Sequence, residues 1–526
     1  MREQKRRKIR LLRDTRPYAY LAAFCVWPLF LFALCGCGAD AGEQITTAEQ
    51  LNAPDKKIAV MISTPEEKAL AENLPQAREV DYTDLLAAYE DVKNGRMDGL
   101  LFNRTQMEIA IENGLSGVRL LDGTIGSGDR IGIAISPKTR IPDLKEQVDA
   151  FLDEIKADGT MDDIVERWTV KRDYRMPDIP VPKSPDKTLV VGTVGISEPY
   201  TFYQGAELAG TDIELSYRFA LWLNADLSFK VYDYTGIISA AQSGDVDMIA
   251  ANLYITPEKE EELEFSQDLY TQPVTMMVRD ASHESLGRSA WISVKNSFEK
   301  TFVREGRWAL FVQGILTTIA ITVFSILFGT LLGFFTYMAC RSGNRAANLI
   351  TTVCIRLVEG IPIVVLLMII YYVIFGKIAI SGTVVAIITF SLLFGATMYG
   401  MLRSSVGSID KGQTEAAYAL GYTPKRTFYR IILPQALRLF LPTYKSEVLS
   451  LIKATAIVGY IAAFDLTKAG DIVRSRTYEA FFPLIAVAVI YFVIGWLLTL
   501  LINAVIRKIE SRHKNPKEIL KGVAHD

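Results

Sequence analysis

The sequence predicts two structures in one chain: a bilobed α/β domain, then an all-α domain of five membrane-crossing helices. Three observations predict them. Charged residues make up 22% of the 526 residues, but they are concentrated in 41–305, while 308–507 holds long apolar segments. Within 57–279, short β-rich runs alternate with amphipathic stretches, as strands and helices do when they pack in layers. Between 308 and 507, five segments reach the roughly 20 apolar residues that a bilayer-spanning helix needs. A chain of this length holds several domains. The net charge of −2 identifies no partner, because the charges are segregated along the chain.

The amino terminus carries a basic cluster from Arg2 to Arg16, then the apolar run Tyr18–Leu34. That is the layout of a secretory signal. The run closes on LCGC, which resembles a bacterial lipoprotein box with Cys37 as the lipidated residue, although Cys35 stands where a small Ser, Ala or Thr is usual. The alternative for 1–37 is an uncleaved anchor. Either reading puts residue 40 onward outside the cytoplasm. The five cysteines are Cys25, Cys35, Cys37, Cys340 and Cys354, so no disulfide framework holds the charged region. The three histidines have no metal-ligand spacing. No GxxxxGK followed by Ser or Thr occurs, so any ATP hydrolysis belongs to another subunit. The sequence is read as no enzyme, with no catalytic residues, no metal and no cofactor in this chain.

In 57–175 the order is KIAVMIS, a helix near 66–73, DYTDLLAAYEDVKNGRMDGLLFN, GIAISP and a long helix near Leu144–Trp168. The joiner 176–187 holds four prolines, Pro177, Pro180, Pro182 and Pro185, which favour an extended spacer. In 188–280 the order is LVVGTV, an amphipathic helix with Asp212 as its N-cap, then SAAQSGDVDMIAAN. Gly95 and Gly244 end helices in the same helix–Gly–strand pattern, so the two halves echo one another.

These residues resemble the periplasmic receptors for polar amino acids. VGTVGISEPYTF (191–202), GTDIEL, ISAAQSGDVDMIAANLYITPEK and FSQDLY follow the order of that family's first half, and FLDEIKADGTMDDIVERW resembles its closing stretch. Here the first half comes second. The resemblance therefore implies a type II receptor with permuted halves: 57–175 as second half (lobe 2 and return helix), 188–280 as first half (lobe 1), 281–307 as linker. It implies that the new ends, near Lys56 and Arg279, lie together at one hinge strand. It also implies a ligand site of Tyr200, Phe202, Asn252, Leu253, Tyr254 and Lys259 from one lobe and Ser63, Thr64 and Asn103 from the other. Lys259 replaces the family's carboxylate-binding Arg, and Asn103 stands where its amine-binding Asp is expected. The ligand is then either other than an ordinary α-amino acid or weakly held, unless Lys259 is a solvated helix-start charge and Asn103 a turn residue.

The five apolar segments are Ala309–Ala339, Ile350–Phe375 (broken by Gly360 and Pro362), Ile380–Met401, Leu439–Ala463 and Phe481–Ile506. With 41–305 outside, the segments 340–349, 402–438 and 507–526 are cytoplasmic, and they are rich in Lys and Arg, as the positive-inside rule requires. The loop 402–438 is too polar for lipid. A helix from about Lys411 to Leu420 would stop at Gly421, and Pro424 would open a second helix with Lys425, Arg426 and Arg430 on one face and Phe428, Ile431 and Ile432 on another. By physics alone this is a docking element or a helix lying on lipid. EAAYALGYTPKRTFYRIILPQA (415–436) resembles the EAA loop of ABC-importer permeases, and RLVEGIP (356–362) and YKSEVLSLIKATAIVGYIAAFDLTKA (444–469) resemble further stretches of the polar amino-acid permeases. That resemblance covers 308–508. It implies that Glu415, Ala416, Ala417, Gly421, Arg426 and Pro434 couple to an ATPase. Lys445, Glu447 and Lys453 either line a path or snorkel to the interface.

The implied whole is a fused substrate-binding and permease subunit of an ATP-driven importer for a polar amino acid or related small polar solute, in a bacterial cytoplasmic membrane. The receptor would be extracytoplasmic, with the EAA loop and the tail 509–526 inside. The implied partners are an ABC ATPase, the solute, membrane lipid and a second copy of the chain through the permease half, with no nucleic acid. The rival readings are a ligand-gated channel of the glutamate-receptor type and a membrane solute sensor. The first would place its membrane part between the half-domains, and the second would need a larger cytoplasmic output domain.

Overall fold

The computed structural model describes residues 44–280, 290–341, 343–376, 378 and 380–511. The segment 1–37 with Cys37, part of the linker and most of the tail lie outside the described residues.

The first lobe begins with β1 (Lys57–Met61), β2 (Arg78–Tyr82), β3 (Gly99–Asn103) and β4 (Val118–Leu120). The second contains β5 (Asp129–Ile135), β6 (Lys187–Thr193), β10 (Ala225–Val231), β11 (Met248–Tyr254), β12 (Glu264–Phe265) and β13 (Tyr270–Gln272), with β7 (Ile196–Ser197), β8 (Thr201–Gln204) and β9 (Glu207–Ala209) as a small meander. The chain then returns to the first lobe as β14 (Val274–Arg279). The strand orders are β2-β1-β3-β14-β4 and β10-β6-β11-β5-β12. They match position for position, because each half sends one antiparallel strand into the other half's sheet. The central strands β3 and β11 are buried along their whole length, as strands covered on both faces must be. The helix Leu144–Ala157 buries Leu144, Val148, Phe151, Leu152 and Ile155 against the second sheet at helical spacing.

The chain crosses between lobes twice, at 126–129 and 272–274. The two crossings run side by side, with Asp129 opposite Gln272 and Val274 opposite Asn103. Gly128 has φ +83°, and a Cβ there would sit 2.8 Å from the Gln272 carbonyl oxygen, so the hinge strands approach closely only without a side chain. The ends of the domain are close together but not at this hinge. Gly99 pairs with Ile58 on one side and Val278 on the other. Lys57 and Arg279 therefore leave the same end of one sheet, two strands or about 10 Å apart. Because β14 runs antiparallel to β3, this is the end away from the hinge. Asp212 also departs from its expected place: Gly210 is the N-cap, and Asp212 lies buried in the first turn.

Among the described residues, three helices are long and apolar enough to cross a membrane, Trp308–Arg341, Gly382–Gly407 and Phe482–Arg507, or five spans if two bent pairs each count as one. The break expected at Gly360 and Pro362 is a 111° bend between Arg345–Gly360 and Ile363–Ile374. The helix Trp308–Arg341 has 34 residues and extends about 50 Å. It meets the central helix Gly382–Gly407 backbone to backbone: a Cβ at Gly333 would lie 2.6 Å from the Gly395 carbonyl oxygen, the small-residue packing that lets membrane helices approach.

Candidate functional site

The cleft between the lobes is lined by residues that strand ends bring together. β11 shifts register between Ile249 and Leu253, and Asn252 sits in the left-handed region at φ 53°. A bulge of this kind re-aims side chains next to sites. Ser63, just beyond β1 in the other lobe, has φ 62°. Lys259 Nζ crosses the cleft to donate to the Ser63 carbonyl at 3.3 Å, and lies 5.6 Å from the Tyr254 ring centre. At the hinge, Asn103 Nδ2 donates to Gln272 Oε1, and Gln272 Nε2 donates to Asn252 Oδ1 at 2.5 Å. The Asn252 backbone N–H donates to Asp212 Oδ2 at 2.5 Å and the Tyr270 hydroxyl to Asp212 Oδ1 at 3.4 Å. Tyr200 stacks on Tyr270 at 5.8 Å, with its hydroxyl beside Asn103 and Thr105 of the first lobe.

Of the residues expected here, the structure brings together Ser63, Asn103, Tyr200, Asn252, Tyr254 and Lys259. Thr64 borders the cleft, but its hydroxyl donates to the Met61 carbonyl at 2.6 Å. Leu253 packs into the core of its lobe. Phe202 points away from the cleft, between Trp168 and Tyr174, with the Arg476 guanidinium 4.6 Å above its ring.

The cleft also holds acids that the sequence reading missed. Glu66 is fully buried at the first turn of helix Pro65–Asn73, facing Asp129. Burial and the neighbouring carboxyl push Glu66 up, and burial raises Asp129 as well. Asp212 is pushed up to about 7 by burial, against the opposing pull of the Asn252 N–H. Burial lowers Lys259. In sequence, an acid after Pro65 reads as ordinary first-turn charge, and only the closure of the lobes buries it.

One face of the bilobed domain is seated on the helix Leu466–Thr477. Lys468 Nζ, 4% exposed, donates to Asp233 Oδ1 at 2.7 Å and to the Tyr232 carbonyl at 2.8 Å. Arg476 pairs with Glu198 and, at 3.1 Å, with Glu305. These contacts hold the second lobe and its linker. The same helix reaches the first lobe through Arg474, 2.6 Å from Asp84, and Tyr478 just beyond it packs at a tilt against Tyr89, ring centres 6.3 Å apart. Tyr371 donates to Asp245 Oδ2 at 2.7 Å, and Tyr372 to the Gly236 carbonyl at 3.2 Å.

The loop 402–438 lies at the opposite end of the spans. Thr318, near the start of Trp308–Arg341, accepts from the Leu466 N–H at 3.2 Å, whereas Arg341 at its end lies 3.9 Å over the Phe428 ring. Asp410 caps the helix Lys411–Ala419 through the Gly412 N–H at 2.7 Å, and Gly421 ends it at φ +78°. Ala417 is its only buried residue, so Glu415, Ala416 and Tyr418 face outward. Leu420 is 78% exposed, Tyr418, Tyr422 and Tyr429 are exposed apolar rings of the same loop, and Lys425, Arg426 and Arg430 are exposed as well. The second helix does not stop short of the membrane. It runs from Pro424 through a wide turn at Phe428–Ile432 into Leu433–Ala454, with Pro434 at its junction. Phe428 and Ile432 anchor it against Tyr337, Cys340 and Leu402.

Residues 325–512 match the sequence model of a family described as binding-protein-dependent transport system inner membrane component. The L-cystine transport system permease protein TcyB of Bacillus subtilis (strain 168) is 32% identical over 210 residues, 40% of this chain and 90% of that protein. The glutamine transport system permease protein GlnP of Escherichia coli (strain K12) is 32% identical over 208 residues, 39% of this chain and 93% of that protein. Among solved structures, an amino acid ABC transporter with histidines is 28% identical over 42% of this chain and 100% of its own, with a TM-score of 0.37. A periplasmic substrate-binding protein of an ABC transporter from Coxiella burnetii is 12% identical over 44% of this chain and 87% of its own, with a TM-score of 0.23.

Proposed function

The chain belongs to the binding-protein-dependent transport system inner membrane components, whose members matched here are permeases and not enzymes, and we propose that it is a receptor and permease in one subunit of an ATP-driven importer for a polar amino acid or related small polar solute. The observation that carries this reading is the placement of two surfaces: a two-lobed cleft seated at one end of the spans and an exposed capped loop at the other. The solute class follows the names of the relatives, permeases for L-cystine and for glutamine.

In this reading 57–175 and 188–280 are the second and first halves of a permuted type II receptor joined by 176–187. Support comes from the two sheets' equivalent strand orders and from domain ends two strands apart. Chain ends that lie close together are what a permutation requires. Both tethers leave the first lobe away from the hinge, so neither obstructs closure. Residues 308–508 form the permease, dimeric through this half. The receptor faces outward and 402–438 faces the cytoplasm, as the basic residues of that loop require. Glu415, Ala416, Ala417, Gly421, Arg426 and Pro434 belong to the coupling loop that a separate ATPase grips. Solute closes the lobes, the closed receptor sits on helix Leu466–Thr477, and ATP-driven movement of the loop shifts the helices between accesses.

Membrane vesicles containing this chain and a co-expressed ABC ATPase are expected to accumulate radiolabelled glutamine or cystine only with ATP. Vanadate should stop uptake. Downhill flux without the ATPase would overturn the importer reading in favour of a channel. Within the cleft, Lys259→Met is expected to weaken solute binding by about tenfold or more, the loss of one charge-assisted hydrogen bond, whereas Phe202→Leu leaves affinity unchanged. Calorimetric titration of the full chain checks both.

A further inference from the structure

The receptor reading leaves one cluster unexplained. Glu66 from the first lobe is 0% exposed, Asp129 at the hinge 4%, and Tyr254 from the second lobe 5%. Among the described residues, no well-formed hydrogen bond reaches either oxygen of Glu66, Asp129 Oδ2 or the Tyr254 hydroxyl; Glu66 has only weak approaches from Thr64, its own backbone and Asp129. The two carboxyls interact with one another and with Tyr254. The nearby Thr64 hydroxyl is already committed to a backbone carbonyl.

Burying an ionisable group without a partner is costly. The same domain shows how its chain satisfies a buried acid when the role is structural. Glu214 is also 0% exposed, and it accepts from Arg167 at 2.8 and 2.9 Å, Trp168 Nε1 at 2.7 Å and Arg218 at 2.9 Å. Asp212 is likewise met by the Asn252 N–H and the Tyr270 hydroxyl. Glu66 and Asp129 have nothing comparable. Lys259 is the nearby cation, but it forms no ion pair within 4.0 Å and is held by the Ser63 carbonyl. In the empty cleft burial and mutual repulsion hold a proton on the pair, and an entering cationic donor would take that proton's place between the two carboxyls.

We propose that the missing partner is the solute: the cleft takes a small molecule bearing a cationic amine, held between Glu66 and Asp129 beside the Tyr254 hydroxyl. This rests on the receptor reading and adds a substrate class to it. Asn103 is committed to Gln272, so the amine meant here is one additional to an α-amine. An amino acid with a basic side chain and a simple diamine share this chemistry.

The test is calorimetric titration of the full-length protein in detergent with L-lysine, L-arginine, putrescine, L-glutamine and L-cystine. A basic amino acid or the diamine is expected to bind at least tenfold more tightly than the two neutral-side-chain solutes. L-lysine preferred over putrescine assigns the cleft to basic amino acids, and the reverse to diamines; both support the amine site. Glu66→Gln and Asp129→Asn are each expected to weaken cation binding by on the order of 100-fold. Each should leave the empty protein's melting temperature unchanged or higher, since the amide removes a buried unpaired acid. If either variant fails to fold, the other carries the comparison. L-glutamine or L-cystine binding as tightly as L-lysine, with both variants binding normally, would overturn the inference and leave the receptor reading standing. Binding of none of the five would overturn the receptor reading and this inference with it.

Discussion

Lys468→Met is expected to lower ATP-dependent uptake by about tenfold while leaving solute affinity at the cleft unchanged. The ammonium is almost fully buried between Asp233 and the Tyr232 carbonyl. The charge left behind, Asp233, is 36% exposed, so the loss falls between about 3–5 kcal/mol for a fully buried pair and about 0–1 kcal/mol for an exposed one. The backbone of Gly459 lies close to the Asp233 carboxylate and restricts how far it can turn toward solvent. The cost therefore falls on the seated receptor and not on the free one, where water reaches Asp233. Arg474→Ala, at the half-exposed contact with Asp84, is worth only about 0–1 kcal/mol and should reduce uptake a few-fold. The asymmetry has a mechanical meaning. Asp233 and Asp84 belong to different lobes, and one helix, Leu466–Thr477, holds both. Opening the cleft moves one acid relative to the other, so the helix keeps both partners only while the lobes are closed. Lys468 and Arg476 then anchor the receptor, and the weaker Arg474 contact reports closure. The exchange Lys468→Asp with Asp233→Lys should restore part of the uptake. Wild-type uptake by Lys468→Met would show that this seat is not the working one.

What was legible in the sequence is what is decided locally. Gly421 and Pro424 set the helices of 402–438, because a positive φ and a missing N–H act within a turn. The broken segment was legible at Gly360 and Pro362 for the same reason. The alternation of strands and helices located both lobes. Residues whose role depends on distant partners were not legible. The 464–480 segment reads as a nearly balanced loop, and its Lys468, Arg474 and Arg476 gain meaning only from Asp233, Asp84 and Glu198, far away in the chain. Phe202 sits two residues from Tyr200, but the meander turns its ring to the seat and the Tyr200 ring to the cleft. Glu66 and Asp129 look like common surface acids until two lobes close over them. The tethers were expected at the hinge because the shared order of the halves says that their ends meet. It does not say at which end of the sheet, which the antiparallel run of β14 decides.

Leu420→Asp is expected to abolish solute-stimulated ATP hydrolysis by the co-expressed ATPase, with cleft affinity and membrane insertion unchanged. Leu420 is the most exposed apolar side chain of the loop, which also exposes Tyr418, Tyr422 and Tyr429. A residue of this kind at the tip of a rigid, capped helix is what an interface anchor looks like before its partner arrives. Placing a carboxylate there would desolvate a charge at the centre of the contact, which costs several kcal/mol, enough to dissociate an interface of ordinary affinity. The substitution touches no packing inside this chain, since Leu420 faces solvent, so folding of the loop is not at risk. Gly421→Val acts differently. Its φ of +78° is accessible to glycine and strained for a β-branched residue, so the loop must reshape. It should lose both ATPase association and the orientation of the second helix. Comparing the two separates surface from geometry. Co-purification of the ATPase with the wild type but with neither variant supports a rigid docking hairpin. Retention by Leu420→Asp with loss by Gly421→Val would move the anchor to the buried Phe428 side, where Arg341 lies across the ring and connects the loop to the first span.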